Sequence, residues 1–132
     1  MKTKDGSRLI VALDTPSLDV VKKLLKELKG VVSFYKIGSE LFTAYGWEAV
    51  ALIRKAGGRI FLDLKLHDIP NTVSKTAAVI CENEIDMFNV HGLGGFEMMK
   101  KTRDVIDERV KIGKKRPVIY DKKRLSCSFC HF

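Results

Sequence analysis

The chain has 132 residues, of which 45% are apolar, and a formal net charge of +8. That length suits one domain with a real hydrophobic core. No run of about 18 apolar residues occurs, so no segment is expected to span a membrane. The opening "MKTKDGSRLIVALD" has too short an apolar run, and no small-residue cleavage site, for a signal peptide, so a cytoplasmic protein is expected. The charge is local: residues 111–132 carry seven of the 24 Lys and Arg and one of the 16 Asp and Glu, while residues 1–110 are nearly balanced. A basic tail without interleaved aromatic platforms is a weak basis for nucleic-acid binding, and no nucleic-acid partner is expected. Three cysteines in a chain without a secretory signal argue against a disulfide framework.

Four segments read as short buried strands: "RLIVALD" (8–14), "VSFYKIG" (32–38), "RIFLDLK" (59–65) and "MFNVHG" (87–92). Their nearly continuous apolar runs suit parallel strands covered on both faces. Helical patterns lie between them. In "SLDVVKKLLKELKG" the residues Leu18, Val21, Leu24, Leu25 and Leu28 recur at helical spacing, with the lysines largely opposite. Ser17 or Thr15 can cap this helix, and Gly30 suits its end. A second helix is predicted over about 39–56, with Ser39 as cap, Gly57-Gly58 as stop and Gly46 weakening its middle. A third follows Pro70, with Asn71 as cap, and runs to about Glu82. A fourth follows "GLGG" and runs to about Val110, before a fifth strand starting at "RPVIY". This alternation predicts a parallel α/β architecture with right-handed crossovers.

The polar residues fall at strand ends. Strand one ends at Asp14, strand two reaches Lys36, strand three Asp63 and Lys65, and strand four His91. In parallel α/β folds the carboxyl ends of strands carry ligand sites, built from several strands. In "FLDLKLHDIP" (61–70), Asp63 and Lys65 are two apart and are expected to share a strand face. Asp68 follows, beside a rigidifying Pro70. Buried charges are tolerated when paired, and Lys36 is available from the neighbouring strand. A structural ion-pair network would account for them, as would an array that acts on a charged substrate.

"FLDLKLHDIPNTV" (61–73), with its D-x-K-x-x-D pattern, closely resembles the signature segment of the orotidine 5′-phosphate decarboxylase family. "IVALDTP" (10–16), "FYKIGSELFTAYG" (34–46) and "FNVHGLGG" (88–95) resemble that family's other blocks, in order, so that the likeness covers about residues 7–119. It implies a (β/α)₈ TIM barrel, of which this chain holds an N-terminal portion of about four βα units in residues 1–119. It implies removal of CO₂ from orotidine 5′-monophosphate to give UMP, in pyrimidine biosynthesis, with neither metal nor organic cofactor. It implies a homodimer with sites at the subunit interface and a nucleotide substrate. By the same resemblance Lys65 is the catalytic proton donor, and Asp63 lies near the substrate carboxylate. Lys36 bridges the ribose and the array, and Asp68 is supplied to the partner's site. Asp14 and Thr72 contact ribose, Thr72 across the dimer, and Ile69, Pro70 and Asn71 lie in the substrate-binding segment.

The residue types suit that chemistry. Decarboxylation leaves a carbanion that the ring delocalises poorly. A fixed ammonium stabilises charge where it develops and then donates a proton. Neighbouring carboxylates keep the lysine charged. Eight βα units need more than 200 residues. After "KKRPVIY" the pattern gives way to "DKKRLSCSFCHF", which matches no block of the family, so residues 120–132 read as an anomalous basic tail from a shifted frame or an artificial end. The phosphate-gripping units of the family are not matched, and a chain truncated in this way is expected to be inactive alone unless a partner chain or self-association completes the barrel.

Other patterns carry less. "CSFCH" (127–131) fits haem attachment, but neither an export signal nor a haem domain accompanies it. A zinc site would need further ligands. "GLGG" can cradle a phosphate but reads better as a tight turn. His67 and His91 are read as orienting groups. The rival enzyme is a sister lyase of the same barrel superfamily, acting on a sugar phosphate through a related array and usually a divalent metal. The rivals outside catalysis are an inactive fragment and a basic-tailed binding module.

Overall fold

The alternating pattern is realised as strands and helices in a computed structural model that describes residues 9–122. The chain forms two compact units, one ending at Asp63 and one beginning at Leu64, so the division falls inside the third strand.

The first unit contains β1 (Ile10–Ala12), α1 (Leu18–Glu27), β2 (Phe34–Gly38), α2 (Ser39–Tyr45), α3 (Trp47–Lys55) and the first part of β3 (Arg59–Leu66). β2 is central. It pairs in parallel with β1, Lys36 lying opposite Ala12, and with β3, where Phe34 to Gly38 lie opposite Arg59 to Asp63. The helix faces follow the apolar spacing: Val21 and Leu25 of α1, and Ala49, Val50 and Ile53 of α3, are buried along with Tyr35, Ile37, Ile60 and Leu62. Of the two caps foreseen for α1, Ser17 takes the role, its Oγ accepting from the Val20 N–H at 3.5 Å. Thr15 instead accepts from the Ser17 N–H at 3.2 Å and braces the turn before it.

The single helix expected over 39–56 is two helices. Gly46 breaks it with φ 52° and ψ −129°, a conformation no helix contains and one that suits only glycine. Phe42 and Trp47 meet edge to face across the break, with ring centroids 5.4 Å apart. Ser39 is the first helical residue rather than the cap, which falls on Gly38 without a side-chain bond.

The second unit contains the end of β3, α4 (Pro70–Glu82), β4 (Met87–His91), α5 (Phe96–Lys111) and β5 (Val118–Lys122). β4 lies between the end of β3 and β5, and pairs with β5 in parallel from Met87 opposite Val118 to His91 opposite Lys122. α4 packs against α5. Val73, Ala77, Ile80, Phe88, Val90, Met98 and Ile106 are buried. Asn71 is not the cap of α4. Pro70 occupies the first turn, where its missing N–H is harmless, and Ile69 stands at the cap position. Cys81 is fully buried, its thiol donating to the Lys115 carbonyl at 3.5 Å, and burial pushes that thiol up. It is a core residue rather than a reactive one.

Basic residues in the last turn of α5 and just after it are engaged on this unit's surface. Lys114 and Arg109 both reach Glu82, at 2.8 and 3.4 Å, Lys115 reaches Asp86, and Arg116 reaches Asp107 at 2.6 Å. β5 takes in Tyr120 to Lys122, so the expected tail of 120–132 begins as strand. The remainder, with its Cys-x-x-Cys-His pattern, lies outside the described residues. Among the described residues no helix is long and apolar enough to cross a membrane.

Candidate active site

In the first unit the strand register brings three predicted residues together. Lys36 projects from the central strand β2. Asp63 lies opposite Gly38, two residues further along that strand, and Asp14 follows β1 by two residues. The Lys36 Nζ stands 3.3 Å from an Asp63 carboxylate oxygen and 3.8 Å from one of Asp14. The two carboxylates differ in surroundings. Asp63 is only 6% exposed as a residue, whereas the Asp14 side chain is 65% exposed. Lys36 therefore carries one dry partner and one wet one, an arrangement in which the dry pair dominates.

In the second unit a cavity of about 310 Å³ opens over the end of β3 and the first turns of α4. Leu64, Leu66 and Val73 form its apolar wall, and Lys65, His67, Asp68, Thr72 and Thr76 supply its polar groups. Three predicted residues, Lys65, Asp68 and Thr72, are thus brought to one cavity. Ile69, Pro70 and Asn71 lie outside its lining. Ile69 is 65% exposed and donates its N–H to the Asp68 carboxylate at 2.6 Å, while the Asn71 carbonyl accepts from Ser74 Oγ at 2.9 Å. Thr76 was not foreseen. It sits one helical turn beyond Thr72, whose carbonyl accepts its hydroxyl at 2.9 Å. The i, i+4 spacing of the two threonines was the available signal.

Lys65 has φ 49°, in the left-handed region. For a side chain with a Cβ this conformation costs roughly 1–2 kcal/mol, and such strain gathers at functional positions. The Lys65 N–H donates to Asn89 Oδ1 at 2.7 Å. Beyond it the His67 ring stacks on His91, with centroids 4.9 Å apart and planes 15° apart. His91 Nδ1 accepts from the Leu93 N–H at 3.2 Å and caps a 3₁₀ turn over Gly92–Gly94. "GLGG" is thus a tight turn, and Gly95 with φ 88° leads into α5.

Residues 7–120 match the family model described as "Orotidine 5'-phosphate decarboxylase / HUMPS family". The chain is 46% identical to the orotidine 5′-phosphate decarboxylase of Carboxydothermus hydrogenoformans over 114 residues, which is 86% of this chain and 48% of that protein. To the enzyme of the same name from Geobacter metallireducens it is 44% identical over 119 residues, 89% of this chain and 50% of that one. Among solved structures, an uncharacterized conserved protein from Geobacillus kaustophilus superposes with a TM-score of 0.82 at 38% identity, over 90% of this chain and 55% of that one. The orotidine 5′-phosphate decarboxylase of Lactobacillus acidophilus gives 0.77 at 36% identity, over 89% and 53%. The chain spans about half the length of the curated relatives it matches. With most of its length matched, at these identities and on the same parallel α/β framework, the chain belongs to the orotidine 5′-phosphate decarboxylase / HUMPS family.

Proposed function

We propose that this chain supplies the Asp/Lys array for decarboxylation of orotidine 5′-monophosphate to UMP, as part of a cytoplasmic enzyme of pyrimidine synthesis. The observation that carries the reading is the match to the decarboxylase relatives over the segment that holds Asp14, Lys36, Asp63, Lys65, Asp68 and Thr72. The bond from the ring carbon to the carboxylate breaks, and its electron pair stays on carbon. The Lys65 ammonium stabilises that pair and gives it a proton, and CO₂ leaves. Asp63, beside the departing carboxylate, weakens its ground-state binding and holds Lys36. Lys36 and Asp14 bind ribose, while Ile69, Pro70, Asn71 and Thr72 complete the nucleotide site. Asp68 and Thr72 reach the partner's site in a homodimer. The reaction as proposed uses no metal or organic cofactor.

Because the chain spans about half of its relatives, turnover is expected only when the remaining barrel is supplied. Release of labelled CO₂ from carboxyl-labelled substrate tests this in two preparations. The 132-residue chain alone is expected to show none. A chimera carrying residues 7–119 in place of the matching half of the Carboxydothermus hydrogenoformans enzyme is expected to turn over, and to lose at least about three orders of magnitude on Lys65→Ala. Undiminished turnover in that variant refutes the role of Lys65. A second reading is a sister lyase of the same barrel, acting on a sugar phosphate through a related array. Metal-dependent cleavage of a keto-sugar phosphate by the same chimera, without orotidylate turnover, would establish it.

A further inference from the structure

We propose that Asn89 is a positioning residue for Lys65: its side-chain carbonyl holds the lysine backbone in the left-handed conformation that aims the ammonium into the cavity. This rests on the reading of Lys65 as proton donor given above. Three observations meet at this contact. Lys65 has φ 49° although it carries a Cβ, so something must hold it there. Its N–H goes to a side-chain acceptor, Asn89 Oδ1, at 2.7 Å, a short bond for an amide donor. Asn89 itself is 1% exposed, in the middle of β4 between the buried Phe88 and Val90. A primary amide so deep in a strand is costly unless its polar atoms are engaged. Only the carbonyl end of the amide can accept from an N–H, so the orientation of the side chain is fixed by the bond it makes.

The next pair, His91 at the end of β4 and His67 just past β3, repeats the arrangement. Two residues beyond Asn89, His91 stacks on His67, which lies two residues beyond Lys65. β4 thus grips the β3 exit at two successive same-side positions, with Lys65 between the division of the chain and the His67 stack. The lysine stem then starts from a defined direction, and less rotamer freedom is left to lose when the ammonium meets substrate.

The test reads Lys65 directly in the isotope-labelled 132-residue chain by NMR. In the parent chain the Lys65 amide is expected to exchange slowly with solvent and to show the strong intraresidue amide-to-Hα cross-peak of a positive φ. In Asn89→Ala the exchange is expected to quicken at least tenfold and the cross-peak to fall to that of extended residues, while the amides of the β4–β5 ladder keep their protection. Asn89→Asp keeps an acceptor oxygen and is expected to preserve both signatures. A Lys65 amide that exchanges freely in the parent chain, or that keeps both signatures in a folded Asn89→Ala chain, overturns the proposal. If Asn89→Ala does not fold, Asn89→Asp decides, and loss of both signatures there overturns it. The functional reading fails separately, when these signatures behave as expected but Lys65→Ala leaves turnover of the chimera intact.

Discussion

Replacing Lys36 by Met removes the charge that joins two carboxylates and keeps most of the side-chain volume. The distances from Nζ, 3.3 Å to Asp63 and 3.8 Å to Asp14, are too similar for Coulomb's law to separate the partners. Burial separates them. Breaking a fully buried pair costs about 3–5 kcal/mol. The Lys36 side chain is 24% exposed and that of Asp63 9%, so the pair falls short of that limit, and about 2 kcal/mol is expected for Lys36→Met. A double-mutant cycle with Asp63→Asn should return most of that as coupling, about 1.5 kcal/mol. The cycle with Asp14→Asn should return less than about 0.5 kcal/mol, because the Asp14 side chain is 65% exposed and water screens the pair. Urea unfolding followed through Trp47, the only tryptophan, measures each corner. Equal coupling to the two aspartates would refute the reasoning, as would a neutral Lys36→Met.

The ion pair between Lys114 and Glu82 makes stability depend on pH at both ends of the scale. The Lys114 hydrogen bond holds the Glu82 carboxyl below its usual 4.5, so the pair's contribution is present above that value and lost as pH falls through the lowered one. The same bond raises Lys114 above its usual 10.5, so the contribution is present below that value and lost as pH rises through the raised one. Lys114→Met should return the Glu82 carboxyl titration, read by carbon NMR, toward its ordinary midpoint. Gly46→Ala should destabilise by about 1–3 kcal/mol through φ alone, since the added carbon would meet nothing nearer than the Phe42 carbonyl at 3.8 Å, and urea midpoints will show it. Asp121→Val should stabilise by about 1 kcal/mol in the same assay, because one Asp121 carboxylate oxygen is buried without a hydrogen-bond partner among the described residues, opposite the buried Val90.

The elements were legible where short-range rules govern. Ser17 caps α1 as its type and place foretold, and the apolar spacing of Val21 and Leu25 located the buried face. The β strands followed from apolar runs, and every strand pairing described is parallel, as alternation with helices requires. Gly46 was visible as a weak point, but a glycine in a helical pattern can be absorbed or can break it. Its φ and ψ are chosen by how α2 and α3 seat on their neighbours. Asn71 looked like a cap because asparagine prefers that position, yet Pro70 took the first turn and moved the cap two residues back, to Ile69.

The polar strand ends were likewise readable one by one: Asp14, Lys36, Asp63 and Lys65 each stand where an apolar run meets a polar residue. Which of them meet is a matter of register. Pairing across β1, β2 and β3 sets Lys36 against two carboxylates, and no rule of spacing within one strand contains that information. The backbone of Lys65 departs furthest from its local sequence. A strand residue is expected to be extended, and the chain instead turns left-handed there. Amino-acid type and spacing, being local, determined the elements, the family likeness and the candidate residues. Only the tertiary structure decided that Asn89, 24 residues away in sequence, would accept the Lys65 N–H, because a hydrogen bond between strands exists only once the fold has brought them side by side.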